Sequence, residues 1–387
     1  MTIKLLFNSV LVAAISLSLS SAGFAGEERY KTPEALGEAL FNDASLSKNG
    51  TEACATCHMP GMGFRDGRDS TVGLAVALGD DGKSLGDRNV PSAAYAHLSP
   101  PFHKDAEGKY VGGQFWDGRA STLEDQAGGP PLNPIEMGMP DKAAVAKRIE
   151  ENPDYVASFK GVFGKDIFTQ PDETYAAMTK AIAAYERTEE FSPFDSKYDR
   201  YLRGEVKFTD QEELGRVLFF SHQFTNCNQC HEVQGPSGFE HALFTNHKYF
   251  NIGVPENTSV RMVNGTAKGT IDTGLAQNPM VDDPAAERGK FKVPSLRNVA
   301  VTGPYMHNGV FKDLRTVVKF YNKYNSKAPS AQINPETGKP WGPPEVAENI
   351  ATKELTAGSA LNDKRIDAIV AFLKTLTDKR YEPLLDK

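Results

Sequence analysis

Two short stretches decide the fold: CATCH at residues 54–58 and CNQCH at residues 227–231. Both have the pattern C-x-x-C-H, and together they use all four cysteines of the chain. Two thiols at this spacing can bond to the vinyl groups of one haem, and the adjacent histidine then reaches the iron from one face. Redox cysteine pairs or a zinc site are the alternatives, but a zinc site would not need a histidine after the second cysteine in both copies. We therefore predict two covalently bound c-type haems, attached through Cys54, Cys57, Cys227 and Cys230 and ligated by His58 and His231.

The residues in front of each motif also repeat. The pattern L-G-x-x-L-F occurs at 36–41 before the first motif and at 214–219 before the second. A Thr-Pro pair precedes the first copy, and a T-x-x-E capping box at 209–212 precedes the second, so both copies are predicted to be helices. A short amphipathic helix leading into C-x-x-C-H is typical of a cytochrome c fold. We expect the glycine of each copy to allow a close helix crossing.

The rest of the chain is predicted to be mainly helical. Further helices are expected at about 141–151, at 173–188 and after Asn362, where apolar residues recur at helical spacing. Strand-like alternation is scarce. The segment 190–208 contains proline, glycine and many charges, and we place the domain boundary there. The sequence predicts a mainly α protein with long loops: a signal peptide at 1–25, an N-terminal cytochrome-c-like domain at 26–194 and a C-terminal one at 195–387.

The start of the chain has the features of a secretion signal. Lys4 precedes an apolar run to about Leu19, and small residues lead to a plausible cleavage site at 23–25. A membrane anchor is the alternative, but the run is shorter than the ~20 residues that a span needs. The net charge of −7 argues against nucleic-acid binding. We predict a periplasmic protein with no nucleic-acid partner and no membrane span in the mature chain.

Four longer stretches carry a family resemblance. They are GGQFWDGRA at 112–120, NPIEM at 133–137, VPSLRNV at 293–299 and PYMHNG at 304–309. In kind and order they resemble the bacterial di-haem cytochrome c peroxidases and their relative MauG. The resemblance runs from about residue 32 to residue 376. It implies an enzyme in which one haem reacts with hydrogen peroxide and the other transfers electrons.

The resemblance implies roles around the first haem. Trp116 matches a tryptophan that lies between the haems and relays electrons, and Gln126 and Pro130 match residues of the peroxide pocket. Glu136 matches the glutamate that acts as general acid–base on peroxide. Without the resemblance, Trp116 would be interpreted as a core residue and Glu136 as a solvated acid. Many peroxidases of the family carry a distal histidine between the first motif and R-N-x-P, but residues 59–87 contain none. We therefore expect an open first haem that needs no prior reduction, as in MauG.

The second haem departs from the peroxidases. Their methionine ligand stands fourteen residues after the histidine of a Y-x-H-x-G motif, and here that position is Tyr321, counted from His307. MauG resembles this chain in having a tyrosine at the position. A phenolate oxygen favours ferric and higher-valent iron, whereas methionine sulfur favours ferrous iron. Tyr321 is the predicted ligand, with Met306 and His307 as alternatives.

The resemblance also implies a calcium ion between the haems. Its ligands would be the side chain of Asn89 and the backbone carbonyls of Thr302 and Pro304.

Two sources of electrons stay open. A small c-type cytochrome or cupredoxin as donor would make the enzyme a peroxide scavenger, and an acidic surface would suit a basic partner. A side chain of a secreted protein, such as tryptophan, would make it a MauG-like modifying enzyme. MauG has a surface tryptophan two residues before its second motif, but this chain has Thr225 there, beside Phe224. A non-catalytic di-haem electron carrier, with both irons six-coordinate, is the alternative function.

Overall fold

A computed structural model describes residues 29–233 and 239–386. The predicted signal peptide at 1–25 lies outside these residues. The helices are α1 Pro33–Phe41, α2 Cys54–Cys57, α3 Leu123–Ala127, α4 Lys142–Glu150, α5 Pro153–Phe163, α6 Pro171–Glu186, α7 Lys197–Leu202, α8 Asp210–Phe220, α9 Thr258–Arg261, α10 Leu314–Asn322, α11 Thr352–Leu355 and α12 Asp363–Lys374.

The strands of the described residues are two residues long and pair antiparallel. They are β1 His103–Lys104 with β2 Tyr110–Val111, β3 Tyr249–Phe250 with β4 Phe291–Lys292, and β5 Ile333–Asn334 with β6 Lys339–Pro340. Long loops connect the elements. The predicted mainly α fold is therefore confirmed. None of the helices in the described part of the chain is both long and apolar enough to cross a membrane.

The repeated helices begin as their sequences predict. The Thr32 side chain accepts a hydrogen bond from the Ala35 amide, and proline follows at the first helical position of α1. Thr209 and Glu212 form a reciprocal capping box at the start of α8. Helices α4, α6 and α12 also lie where they were expected, and Asn362 caps α12. The sequence analysis did not place α5 or α10.

Each half of the protein contains the same close helix crossing. Helix α1 packs against α6, and α8 packs against α12. A Cβ atom on Gly37 would lie 1.9 Å from the carbonyl oxygen of Ala181, and one on Gly215 would lie 1.9 Å from that of Ala368. Both glycines are therefore required by backbone contact, as expected from the repeat.

Two hydrophobic clusters surround these crossings. One is made of buried residues between positions 36 and 191, and the other of buried residues between 198 and 376. Their limits support the proposed boundary between domains 26–194 and 195–387, which stays a prediction.

A buried polar contact joins the two halves. The Tyr95 hydroxyl donates to Oδ1 of Asp378 at 2.6 Å, and Asn298 Nδ2 donates to Oδ2 of the same carboxylate at 2.8 Å. Asp378 and Asn298 are fully buried, and Tyr95 nearly so. Because Tyr95 belongs to the first half and the other two to the second, this carboxylate fixes one half against the other.

The helix crossings can be tested with Gly37→Ala. The added methyl group would overlap the Ala181 carbonyl, and overpacking of this kind costs about 1–3 kcal/mol. We expect a lower thermal unfolding temperature, measured by circular dichroism on the haem-loaded protein. Gly61→Ala is the matched control, because a Cβ at Gly61 would meet nothing within 4 Å. An unfolding temperature unchanged by Gly37→Ala would contradict the close crossing.

Candidate haem sites

The first C-x-x-C-H motif lines a cavity of about 410 Å³, here called the N-terminal cavity. Its wall includes Cys54, Cys57 and His58. The Nδ1 atom of His58 lies 3.1 Å from the carbonyl oxygen of Phe64, so Nδ1 carries the proton and Nε2 is left for iron. Burial lowers the pKa of His58 and keeps the ring in the neutral form that binds metals.

The second motif lines a cavity of about 360 Å³, here called the C-terminal cavity. Cys227, Cys230 and His231 lie in its wall. The Nδ1 atom of His231 lies 2.9 Å from the carbonyl oxygen of Phe244, and burial lowers the pKa of His231 to about 4. The second site therefore repeats the histidine geometry of the first.

The two carbonyls that hold the histidines share an uncommon backbone. Phe64 and Phe244 have φ angles of 56° and 57°, in the left-handed region that non-glycine residues seldom adopt. Both side chains are fully buried. Packing of each aromatic ring thus stabilises a strained backbone that points its carbonyl at the histidine. The sequence analysis missed these residues, because a phenylalanine gives no sign of a left-handed conformation.

The N-terminal cavity brings the four predicted catalytic residues together with His58. Trp116, Gln126, Pro130 and Glu136 all line it. Gln126 lies on α3, and Pro130 starts the short 3-10 turn that follows. Burial is the main cause that raises the pKa of Glu136 above its ordinary value, and the charge of Arg119 partly opposes this.

Two further acids line this cavity. Glu186 on α6 is buried, its Oε2 has no hydrogen-bond partner among the described residues, and burial raises its pKa to about 8. Glu52 accepts hydrogen bonds from Cys57 Sγ at 2.9 Å and from Arg68 at 3.1 Å. The sequence analysis missed Glu186, although it follows Ile182 by one helical turn on an apolar face and could have been found there.

All three candidate ligands of the second iron line the C-terminal cavity. Tyr321, in the last turn of α10, lines the same cavity as Cys230, and burial, followed by the charge of that thiol, raises the pKa of its phenol. His307 instead stacks on Phe291 with ring centroids 3.5 Å apart. Met306 packs against the apolar cluster of the same half. Tyr321 is therefore the candidate whose pKa is affected by the haem-attaching cysteines.

One wall is common to both cavities, and Trp116 is part of it. Its Nε1 donates to the carbonyl oxygen of Asn89 at 2.8 Å, which fixes the indole orientation. The Asn89 amide in turn donates to the carbonyl oxygen of His307 at 2.8 Å. The backbone of Asn89 thus connects the indole to the wall of the second cavity.

A buried arginine holds this wall to the second half. Arg88 binds Oδ2 of Asp117 at 2.6 Å through Nη1, and its Nε and Nη2 each lie 2.7 Å from a carboxylate oxygen of Asp272. Asp117 directly follows Trp116, whereas Asp272 belongs to a loop of the C-terminal half. The guanidinium therefore bridges the tryptophan loop and the opposite half.

The residues predicted to bind calcium lie in one region. Asn89, Thr302 and Pro304 all line the C-terminal cavity. Asn89 Nδ2 donates to the Ala75 carbonyl at 3.1 Å, which leaves its side-chain oxygen free to face another group. Neutral oxygens suit calcium. Within 29–233 and 239–386, no group of three or more His, Cys, Asp or Glu side chains could hold a metal ion. The calcium site stays a prediction that depends on neutral oxygens.

The thiols and histidine nitrogens of both sites suit a covalently bound haem. The four thiols form no disulfide, each pair lines a large cavity, and each adjacent histidine presents a neutral Nε2. This arrangement defines a di-haem protein of the cytochrome c type.

Comparison with known proteins gives the family. A model described as di-haem cytochrome c peroxidase matches residues 31–207. The chain is 54% identical to the methylamine utilization protein MauG of Paracoccus denitrificans, over 97% of each chain. It is 34% identical to the cytochrome c peroxidase Ccp of Escherichia coli, over 75% of this chain and 53% of that one. The crystal structure of the diheme peroxidase BthA from Burkholderia thailandensis matches with a TM-score of 0.79 and 31% identity, over 90% of this chain and 86% of that one. The chain belongs to the di-haem cytochrome c peroxidase family.

Family membership confirms several predictions. The chain resembles enzymes named as peroxidases and as MauG, so the predicted family and the prediction of an enzyme both hold. The family implies two c-type haems, which agrees with the two motifs.

Haem attachment can be tested at the second motif. In a protein with Cys227→Ala and Cys230→Ala, no thiol remains for thioether bonds in the C-terminal cavity. We expect the denatured polypeptide to carry one haem instead of two by mass spectrometry. Gln229→Ala, which changes the motif but keeps both cysteines, should still carry both haems. A double variant with two covalent haems would contradict the assignment.

Proposed function

We propose that this chain is a periplasmic oxidoreductase that reduces hydrogen peroxide in the N-terminal cavity and draws electrons through Trp116 from the C-terminal cavity. One observation carries the proposal. The cavity of His58 also contains the half-buried carboxyl of Glu136, and it shares Trp116 with the cavity of His231. A non-catalytic electron carrier would need neither the carboxyl of Glu136 nor an accessible cavity around that carboxyl.

The N-terminal cavity provides acid–base chemistry. When bound, its haem supplies an iron that can take up and reduce peroxide. Glu136 takes a proton from one peroxide oxygen and returns it to the other, which makes water the leaving group. The balanced reaction consumes one peroxide, two electrons and two protons and yields two water molecules. The raised pKa of Glu136 keeps its carboxyl able to exchange protons nearer to neutral pH.

Gln126 and Pro130 shape the pocket around that carboxyl. The Gln126 amide offers hydrogen bonds that orient peroxide. Pro130 has no N–H group, so its ring adds an apolar surface that keeps water out of this part of the wall.

Trp116 is proposed as the electron relay. It lies in the wall that both cavities share, and its hydrogen bond to Asn89 keeps the indole in one orientation. In the C-terminal cavity we propose that Tyr321 would hold the haem iron together with His231, because it lines the same cavity as the haem-attaching cysteines. We also propose calcium binding by Asn89, Thr302 and Pro304, which would stiffen this shared region.

The electrons come from a small c-type cytochrome or cupredoxin, or from a side chain of a secreted protein. The 54% identity to MauG supports the protein substrate. Thr225 argues against the same protein substrate as that of MauG. Its side chain is buried and donates to the Leu218 carbonyl at 2.6 Å, so no oxidisable side chain stands at that position.

The proposed function is tested by mixing the fully oxidised protein with stoichiometric peroxide and following the absorbance spectrum. We expect a reaction without prior reduction, and a rate at least about 10²-fold lower in Glu136→Gln. In the wild type the rate should fall as the pH drops through the raised pKa of Glu136, because the protonated carboxyl cannot accept the peroxide proton. Glu151→Gln, at an exposed position, should react like the wild type.

Three results would count against this proposal. Two low-spin irons and no reaction would identify an electron carrier. Reaction only after one-electron reduction would show that the first haem is closed in the oxidised protein. A wild-type rate in Glu136→Gln would remove this carboxyl from the mechanism.

The proposed role of Tyr321 as an iron ligand is tested by electron paramagnetic resonance of the oxidised protein. Tyr321→Phe should change the low-spin ferric signal of the C-terminal haem, because the phenolate oxygen is lost. Met306→Leu and His307→Gln remove the alternative ligands and should leave that signal unchanged. A signal that changes with either control but not with Tyr321→Phe would assign the ligand elsewhere.

A further inference from the structure

Lys292 lines the C-terminal cavity and is bonded to the wall that both cavities share. It is the second residue of β4, paired with Tyr249 of β3. Its backbone amide donates to the carbonyl oxygen of Trp116 at 2.9 Å, and the following amide, of Val293, donates to Lys248 at 2.8 Å. The backbone of Lys292 is thus bonded directly to the residue proposed as the relay, while its side chain lines the C-terminal cavity.

The Lys292 ammonium has no carboxylate within 4.0 Å among the described residues. Nζ donates to the Gly113 carbonyl oxygen and lies 3.5 Å from the hydroxyl of Ser99. Against the lowering by burial, the charge of Asp117 raises the pKa of Lys292. However, Oδ2 of that carboxylate already binds Arg88, and Oδ1 binds Arg119.

Two other enclosed cations of this protein have carboxylate partners. Arg88 binds Asp117 and Asp272, and Arg297 binds both oxygens of Asp199 at 2.6 and 2.9 Å. A charge taken out of water without a counter-ion is strongly destabilised, so an enclosed ammonium needs an anion nearby.

Apart from Asp117, whose two oxygens already bind arginines, the described residues around Lys292 supply no anion. His247 lines the same cavity, and burial, with the charge of Lys292 as a second cause, lowers its pKa to about 4. Burial lowers the pKa of Lys292 itself to about 8, which still leaves the ammonium mostly charged at neutral pH. The missing partner must therefore come from what the cavity binds.

Haem carries two propionate carboxylates, and the C-terminal cavity holds the cysteines and histidine that would attach one haem. We propose that Lys292 binds a propionate of this haem and fixes that carboxylate beside the backbone of Trp116. The ion pair would orient the haem edge toward the tryptophan and neutralise a negative charge next to the iron. Lys292 is a positioning residue in this proposal, which is independent of the reaction with peroxide.

The consequence is a change in the reduction potential of the C-terminal haem. A cation near the haem favours the less positive ferrous form over the ferric form. Lys292→Gln keeps a hydrogen-bond donor for the Gly113 carbonyl but removes the charge, so the midpoint potential of this haem should shift to a more negative value. Lys292→Arg keeps the charge, so its midpoint potential should stay close to that of the wild type.

Lys290→Gln is the matched control. Lys290 lies two residues earlier, and its Nζ already binds Glu287 at 2.9 Å. Its removal should leave the potential of the C-terminal haem unchanged. Spectroelectrochemical titration of the holoprotein measures the haems without peroxide, so failure of this proposal and failure of the proposed function are distinguishable. An unchanged potential in Lys292→Gln, with both haems attached, would overturn the proposal.

A second measurement tests the proposal even if the Lys292→Gln protein does not fold. Resonance Raman spectra of Lys292→Arg should show a shifted propionate bending mode of the C-terminal haem, because guanidinium and ammonium bind a carboxylate with different geometry. A propionate mode identical in the wild type and in Lys292→Arg would contradict contact between this side chain and the haem.

Discussion

The guanidinium of Arg88 holds the wall on which both haem sites depend. Its three bonded nitrogens reach Asp117 on one side and Asp272 on the other, so one side chain connects the tryptophan loop to the opposite half. Breaking a buried ion pair by removing one partner typically costs about 3–5 kcal/mol, because the remaining charges stay buried. Without Arg88 two carboxylates would face each other across the wall, and the loop of Trp116 would lose one of its supports, beside the hydrogen bonds of Trp116 to Asn89 and Lys292.

The two halves use the same supports for different chemistry. In each, a glycine-mediated helix crossing sits behind the motif, and a left-handed phenylalanine offers its carbonyl to the haem histidine. The difference lies on the other walls of the cavities. The first contains the acids Glu136 and Glu186 with raised pKa values, whereas the second contains Tyr321 and the ammonium of Lys292. A common scaffold thus serves one pocket suited to proton transfer and one suited to holding charge.

The parts of this protein that the sequence predicts are those set by local patterns. The haem motifs and the caps at Thr32 and Thr209 depend on neighbours in the chain, and the structure agrees with them. The glycine of each repeated helix was recognised from the repeat, although the contact that requires it is with a distant helix. The family resemblance identified Gln126, Pro130 and Glu136 as further candidate site residues, and the fold places all three in one cavity. Glu186 could have been found from its place on the apolar face of α6, whereas Lys292 could not, since its surroundings are set by residues far away in the chain. The same holds for Phe64 and Phe244, whose backbone strain follows from tertiary packing.

The glycine-mediated helix crossings also constrain the order in which the two halves of the chain can fold. Helix α1 and its partner α6 are separated by well over a hundred residues, and the same is true of α8 and α12. Each C-x-x-C-H motif stands just after the first helix of its pair, so it is synthesised long before the helix that completes its core. During that interval the thiols are accessible, whereas the finished fold encloses them. The topology thus gives every haem motif a period in which covalent attachment can precede folding.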